Sequence, residues 1–189
     1  MTSTGILFVV SAPSGAGKTT LVNKVLSRFK NLFYSVSHTT RSPRKNEQDG
    51  LDYFFISLDD FEKKITRKHW LEWAKVHDNF YGTSKAFVKN SLEMGQSLIL
   101  DIDVQGAEQI MALDLDIVSI FIMPPSFEVL SQRLKTRGTD TKKVIAKRLD
   151  NAKSEITKKN LYQYVIVNDD LDIATQELCS IFKKEMALS

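Results

Sequence analysis

The fold of this 189-residue chain is decided at residues 12–19, which read Ala12-Pro13-Ser14-Gly15-Ala16-Gly17-Lys18-Thr19. The stretch follows a short apolar run, residues 6–10, whose continuous hydrophobicity is typical of a strand buried on both faces in a parallel sheet. The next segment, residues 20–29, carries its apolar side chains on one helical stripe, formed by Leu21, Val22, Val25, Leu26 and Phe29. A strand, a glycine-rich loop and a helix in this order predict a phosphate-binding loop.

The residue types of this phosphate loop (residues 12–19) suit the binding of a polyphosphate. Gly15 and Gly17 give the backbone the freedom to turn its N–H groups inward around phosphate oxygens. Lys18 adds positive charge, and the N-terminus of the following helix adds a partial one. Ala12 stands where the pattern has an opening glycine, and we expect its methyl group to be tolerated if its φ is negative.

A second signal lies at residues 97–103, an apolar strand that ends in Asp101 and Asp103. In phosphate-loop enzymes a strand that ends in acid places a carboxylate beside Mg²⁺. We therefore predict that Thr19, through its hydroxyl, and Asp101, through water, help to hold Mg²⁺.

The remaining apolar runs extend the same pattern. Leu98–Leu100, Val118–Met123 and Tyr164–Val167 are strand-sized and are separated by stretches of helical character. We predict a three-layer α/β core with a doubly wound parallel sheet. The core is expected to comprise residues 1–34, 97–123 and 161–189, interrupted by a small mixed insertion (residues 35–96) and a helical lid (residues 124–160).

Composition limits the possible partners. The hydrophobic fraction is 42%, the charged fraction 26% and the net charge only +3, so neither a disordered chain nor a nucleic-acid-binding protein is indicated. The single cysteine, Cys179, excludes an internal disulfide framework. No segment reads as a membrane span or a secretory signal. We expect a cytoplasmic protein without nucleic-acid or membrane partners, and its oligomeric state is left open.

The insertion contains two close arginines, Arg41 and Arg44, on a segment that Pro43 keeps out of a helix. Two guanidinium groups held near one another are costly unless an anion compensates them, and a phosphate is a natural partner. This segment therefore predicts a second phosphate site.

Here the chain resembles the guanylate kinase family. The run Thr39-Thr40-Arg41-x-x-Arg44-x-x-Glu47-x-x-Gly50-x-x-Tyr53-x-Phe55 is similar to that family's signature without a break. The resemblance covers nearly the whole chain. Its other motifs are Glu72-Trp73-Ala74, Tyr81-Gly82-Thr83, Asp101-Ile102-Asp103-x-Gln105-Gly106, Arg133, Arg137-Gly138-Thr139, Arg148 and Val167-Asn168-Asp169-Asp170.

The resemblance implies a kinase that transfers the γ-phosphoryl group of ATP to GMP, and also to dGMP, with Mg²⁺ as cofactor. It implies that the GMP phosphate is held by Arg41, Arg44, Tyr53 and Tyr81, and that Glu72, assisted by Ser37 and Thr83, reads guanine. Asp103 belongs to the same GMP site. The catalytic cations implied are Lys18, Arg44, Arg133, Arg137 and Arg148, the last three on the lid. The ATP site comprises Ala12, Pro13, Ser14, Gly15, Ala16, Gly17, Lys18, Thr19 and Asn168, with Asn168 near the adenine.

Two alternatives stay open at this stage. Guanylate-kinase-like domains of scaffold proteins keep the fold but bind proteins without catalysis, usually with degraded phosphate loops. This chain keeps Lys18, Thr19 and the lid arginines, which favours an enzyme. A kinase for another nucleotide or another small acceptor is the second alternative, and acceptor competition would distinguish it.

Overall fold

The computed structural model describes residues 4–76, 78–136 and 141–187. Its strands are β1 Leu7–Ser11, β2 Leu32–Tyr34, β3 His38–Thr39, β4 Phe54–Phe55, β5 Trp70–Val76, β6 Asn79–Ser84, β7 Ser97–Asp101, β8 Ile117–Met123 and β9 Tyr164–Val167. Its helices are α1 Lys18–Leu26, α2 Leu58–Thr66, α3 Lys85–Glu93, α4 Val104–Met111, α5 Phe127–Thr136, α6 Lys142–Thr157 and α7 Leu171–Ala187, with a 3₁₀ helix at Lys158–Leu161. None of the described helices is long and apolar enough to cross a membrane.

Five strands form a parallel sheet in the order β2-β7-β1-β8-β9. Successive residues of β1 point to opposite faces, as the period of a strand requires. Phe8 and Val10 pack in one core with residues of α1 and α7, whereas Leu7 and Val9 pack in a second core with residues of α3 and α4. Helices cover both faces of the sheet, so the predicted three-layer α/β core is confirmed.

The sheet brings two of the sequence motifs together. Because β1 and β7 are parallel neighbours, their carboxyl ends lie at the same edge. Val10, near the end of β1, is in register with Asp101 at the end of β7. The phosphate loop therefore begins beside the strand that ends in acid, as the two motifs had suggested.

Helix α1 differs slightly from its predicted extent. It begins at Lys18 and ends at Leu26, whereas the apolar stripe had suggested residues 20–29. The Ser27 hydroxyl donates to the Lys24 carbonyl, a local bond of the kind that competes with helix continuation. Phe29 still packs against the core from beyond the helix end.

The segment between β2 and β7 forms a second sheet of its own. Its order is β4-β3-β6-β5, with β3–β4 parallel and both β3–β6 and β5–β6 antiparallel. Helix α2 contributes the fully buried Phe61, whose ring stacks on Trp70 with centroids 4.4 Å apart. This small sheet places Glu72 of β5 directly opposite Thr83 of β6.

Helix α4 joins the two sheets through one side-chain amide. Gln109 accepts a hydrogen bond from the Trp73 N–H at 3.2 Å and donates one to the Trp73 carbonyl at 2.7 Å. Strand β5 lies at the edge of its sheet. The Gln109 amide thus fixes this edge strand, next to Glu72, against a helix of the core.

Helices α5 and α6 lie in the segment predicted to be a lid. They share a small core of Leu130, Leu134 and Ala152. Helix α6 is capped by the Thr141 hydroxyl, which accepts from the Val144 N–H, close to the predicted start of this helix. The predicted turn at Arg137-Gly138-Thr139 lies outside the described residues.

Candidate active site

The phosphate loop has the backbone geometry that its glycines predict. Gly15 and Gly17 adopt φ values of +93° and +92°, in the left-handed region that favours glycine. Gly17 is the N-cap of α1, so the loop opens directly onto a helix N-terminus. Among the described residues only Lys68 and Asp78 combine a side chain with a positive φ. The methyl group of Ala12 is therefore accommodated without backbone strain.

The side chain of Lys18 contacts residues at the end of β7 instead of residues of the phosphate loop. Its Nζ lies 2.5 Å from Asp101 Oδ1 and donates to the Ile102 carbonyl at 2.6 Å. Asp101 is largely buried, so this pair is shielded from water more than a surface salt bridge is. The neighbouring Thr19 is exposed at the start of α1. The lysine and the carboxylate thus meet at this edge of the sheet, where α1 begins.

A cleft of about 470 Å³ lies between the phosphate loop and α5. Its lining includes Gly15, Gly17 and Arg133. Arg133 Nη2 donates to the Asn168 carbonyl at 3.0 Å, and Asn168 Nδ2 donates to the Ala16 carbonyl at 2.7 Å. The buried Asn168 side chain therefore braces the phosphate loop from the end of β9, a contact that its predicted place near the adenine had not suggested.

The insertion contains a buried carboxylate, Glu72, which is only 4% exposed. The Thr83 hydroxyl donates to Glu72 Oε1 at 2.5 Å. Burial raises the pKa of Glu72 to about 7, and the nearby charge of Asp103 acts in the same direction, while the hydrogen bond from Thr83 opposes them. Ser37, predicted to assist this carboxylate, is also buried.

The other oxygen of Glu72 lies against the first turn of α4. A Cβ built on Gly106 would lie 2.4 Å from Glu72 Oε2, closer than any side chain allows. Asp103 caps this helix by accepting from the Gly106 N–H at 2.9 Å. The close approach therefore depends on a glycine inside a helix, a residue type that is unfavourable there unless packing requires it.

The predicted second phosphate site is built around Arg41. Its guanidinium lies 5.3 Å from the ring centroid of Tyr53, and the Tyr53 and Tyr81 rings meet edge to face at 5.8 Å. Arg44 is much more exposed, with 73% of its side chain accessible. Burial raises the pKa of Tyr53, and the charges of Tyr81 and Asp101 act in the same direction.

The lid arginines are only partly described. Arg133 lies on α5, lines the cleft and donates to the Asn168 carbonyl. Arg148 lies half-buried on α6. Arg137, predicted to act with them, is outside the described residues.

Besides the brace from Asn168, several other contacts were not foreseen from the sequence. Glu47 had been noted only as part of a motif, yet it binds Arg41 through two hydrogen bonds. Gly106 had been quoted without a role, although a glycine inside a helix is a readable signal for close packing. The pair of Lys18 with Asp101 and the bridge from Gln109 to Trp73 depend on tertiary contacts that no local pattern reveals.

The chain was compared with known proteins. Residues 5–185 match the family model described as guanylate kinase. Among curated proteins, the chain is 49% identical to a guanylate kinase of Syntrophotalea carbinolica, covering 98% of this chain and 88% of that protein. It is also 49% identical to a guanylate kinase of Hahella chejuensis, covering 96% and 87%. A crystal structure of guanylate kinase from Anaplasma phagocytophilum superposes with a TM-score of 0.80 at 37% identity, covering 97% and 87%.

Proposed function

Since the chain belongs to the guanylate kinase family and transfers a phosphoryl group from ATP to GMP, we propose that this transfer takes place between the phosphate loop and the insertion. In this assignment residues 12–19 hold ATP and residues 35–96 hold GMP. The lid, residues 124–160, covers the transferring group. The products are ADP and GDP.

The buried carboxylate of Glu72 is the observation that carries the proposal. Guanine presents N1–H and the N2 amino group as neighbouring donors, and one carboxylate can accept from both. Adenine has an acceptor at N1 and no 2-amino group, so it would leave Glu72 unpaired in a pocket where it is only 4% exposed. Sites built on buried hydrogen bonds of this kind can discriminate by about 10⁴-fold. Thr83 and Ser37 complete the base pocket, with Asp103 beside it.

The GMP phosphate is assigned to the cluster around Arg41. The planar guanidinium of Arg41, the hydroxyls of Tyr53 and Tyr81, and the exposed Arg44 suit a phosphate dianion. Asp101, which pairs with Lys18, also contributes to the raised pKa of Tyr53, after burial and the charge of Tyr81, which supports a phosphate seat on the side of the phosphate loop. The acceptor phosphate would thereby lie between the guanine pocket and the triphosphate.

On the ATP side the backbone N–H groups of the phosphate loop hold the triphosphate. We propose that Lys18 leaves Asp101 and turns toward the β- and γ-phosphates when ATP binds. The donor set at this edge, the exposed Thr19 hydroxyl and the Asp101 carboxylate, fits Mg²⁺, which prefers oxygen ligands and keeps several waters. When bound, Mg²⁺ supplies positive charge that neutralises the triphosphate. Asn168 is assigned to the adenine side of the cleft.

Direct in-line transfer needs no covalent intermediate on the protein. The attacking atom is already an anionic phosphate oxygen, so no strong general base is required. Lys18, Arg44, Arg133, Arg137 and Arg148 position the reactants and spread the developing negative charge. A lid closed over the nucleotides would exclude water and suppress hydrolysis of ATP.

A cytoplasmic location is part of the proposal, in keeping with the lone buried Cys179 as a reduced thiol. No nucleic-acid or membrane partner is assigned. The substrates ATP and GMP account for the whole of the proposed site.

The test is an ADP-release assay with GMP, dGMP, AMP, CMP or UMP as acceptor, and with no acceptor as control. We expect GMP and dGMP to support turnover and the other nucleotides to be weaker by at least about 10³-fold. Comparable rates with AMP would refute the role of Glu72. ADP release that is independent of any acceptor would indicate an ATPase, and no release at all would favour a binding module.

A further inference from the structure

We propose that Glu47 is a positioning residue that determines which edge of the Arg41 guanidinium faces the GMP phosphate. This inference rests on the proposed function, because it takes the cluster around Arg41 as the phosphate seat. Arg41 Nη1 donates to Glu47 Oε2 at 2.8 Å, and Arg41 Nη2 donates to Glu47 Oε1 at 2.9 Å. These two bonds form a bidentate pair across the terminal edge of the guanidinium.

Arg41 Nη1 also donates to the Ser42 carbonyl at 2.8 Å, so the opposite, lateral edge of the guanidinium, formed by Nε and Nη2, is what remains for a ligand. Glu47, and to a lesser extent the neighbouring Tyr81, raises the pKa of Arg41 through hydrogen bonding, and Tyr81 is itself assigned to the phosphate site. Within the part of the chain that the structure describes, Arg41 Nε is buried and has no hydrogen-bond partner. Buried N–H donors nearly always have a hydrogen-bond acceptor in folded proteins, so we expect a bound ligand to supply one for this atom. The second hydrogen of Nη2 points to the same side as the Nε hydrogen because the group is planar. Two phosphate oxygens could accept from this pair.

Glu47 is itself held in place by a further hydrogen bond. Its Oε2 also accepts from the Arg44 N–H at 2.7 Å, so its carboxylate links the two arginines of the motif. The hydrogen bond from Arg41 lowers the pKa of Glu47, which keeps it ionised. The rings of Tyr53 and Phe55 lie 5.3 and 5.7 Å from the Arg41 guanidinium carbon. The guanidinium is thus confined by one carboxylate and two aromatic rings.

Two possible roles of Glu47 predict opposite changes in GMP affinity when its charge is removed. Glu47 is a negative charge beside the seat of an anion, so through-space repulsion alone would weaken GMP binding. Removing that charge should then strengthen binding. If Glu47 instead orients Arg41, its removal frees the guanidinium to rotate and weakens binding.

The experiment compares Glu47→Gln with the wild type. The amide keeps the size of the side chain but offers one acceptor oxygen instead of two. We expect KM for GMP to rise by about tenfold, the typical effect of losing one charge-assisted hydrogen bond. KM for ATP and the melting temperature should stay near the wild-type values. A second variant, Glu47→Asp, keeps the charge but shortens the reach, and we expect it to raise KM for GMP as well.

The matched control is Asp52→Asn, which removes one negative charge from the same segment. Asp52 is exposed and accepts only from the Gln48 N–H among the described contacts. We expect this variant to leave KM for GMP unchanged. The proposal is overturned if Glu47→Gln binds GMP as tightly as the wild type or more tightly. It is overturned also if KM for ATP and the melting temperature change in parallel with KM for GMP. A wild-type enzyme that fails to phosphorylate GMP would instead refute the proposed function.

Discussion

The proposed guanine pocket and the phosphate loop are prepared for their proposed ligands in different ways. In the guanine pocket, Glu72 is already held by Thr83 and by the close approach of Gly106. In the phosphate loop the backbone is in place, but Lys18 is bound to Asp101 and to the Ile102 carbonyl. Under the proposed assignment the first region is preorganised, whereas in the second Lys18 must leave an internal contact before it can bind a phosphate.

This difference follows from the chemistry of the two ligands. Guanine is neutral and is identified by hydrogen bonds, which lose their value if the acceptor is free to move or to meet water. A triphosphate carries several negative charges and can compete for a lysine already paired with one carboxylate. We therefore expect changes in the guanine pocket to affect recognition of GMP alone, and changes in the phosphate loop to affect turnover.

The largest effect is expected for Lys18→Ala. Loss of the ammonium group should lower kcat by on the order of 10³-fold, because one preorganised charge at the transferring group is removed. Steady-state ADP release with GMP at saturation measures this. Lys24→Ala, which changes a half-buried lysine of the same helix that pairs with the exposed Asp172, is the control and should retain turnover. A kcat within about tenfold of the wild type in Lys18→Ala would remove Lys18 from the chemistry.

The next largest effect is expected for Glu72→Ala. This change removes the acceptor for two guanine donors and leaves the Thr83 hydroxyl without its partner. We expect kcat/KM for GMP to fall by roughly 10²- to 10³-fold while KM for ATP stays within about twofold. Glu62→Ala, an exposed residue of α2, provides the control. If both variants retain wild-type GMP kinetics, the pocket has been assigned wrongly.

Gly106→Ala tests the close packing behind Glu72. The new methyl group would lie 2.4 Å from Glu72 Oε2, so the carboxylate must move away from its present position. We expect KM for GMP to rise by about 10- to 100-fold, as for a displacement of roughly 1 Å in a reacting site.

The melting temperature of the Gly106→Ala variant serves as the control. Alanine is favoured over glycine inside a helix by up to about 1 kcal/mol, so the substitution by itself should not destabilise α4. The melting temperature should therefore be unchanged or higher while GMP binding weakens. A fall in both would indicate a distorted helix α4 instead of a displaced carboxylate.

The smallest effect is a dependence of GMP binding on pH. Burial raises the pKa of Glu72 to about 7, and only the ionised carboxylate accepts from both guanine donors. As pH falls through that value, Glu72 gains a proton and GMP binding weakens. We expect KM for GMP to rise by about tenfold between about pH 8 and pH 6.

GMP itself also titrates in this range, since its phosphate has a second pKa near about 6. The variant Glu72→Gln isolates this background, because it binds GMP weakly but has no carboxyl to titrate. The assigned role of Glu72 in the pH dependence would fail if the wild type and the variant showed the same slope.

The sequence predicted the regular parts of the structure well. Continuous apolar runs identified β1, β7, β8 and β9, since strands of a parallel sheet are buried on both faces. Gly15 and Gly17 identified the loop because positive φ values favour glycine. The pairing of Glu72 with Thr83 agrees with the base pocket that the family resemblance implied.

The contacts that hold charged groups could not be predicted in the same way. The partner of Lys18 depends on the register of β1 and β7, which brings together residues more than eighty positions apart in the chain. The brace from Asn168 to Ala16 likewise requires the end of β9 to face the phosphate loop. Local patterns determine strands and helices, whereas these partners are determined by the packing of one element on another.

The bridge from Gln109 to Trp73 has a consequence beyond the site. Strand β5 is the outermost strand of its sheet, and an outermost strand offers its backbone groups to any extended chain that comes near. At Trp73 both the N–H and the carbonyl are already taken by the Gln109 amide, which imitates the backbone of a further strand. At this point of the edge strand, a single glutamine therefore occupies both backbone groups through which another extended chain would pair.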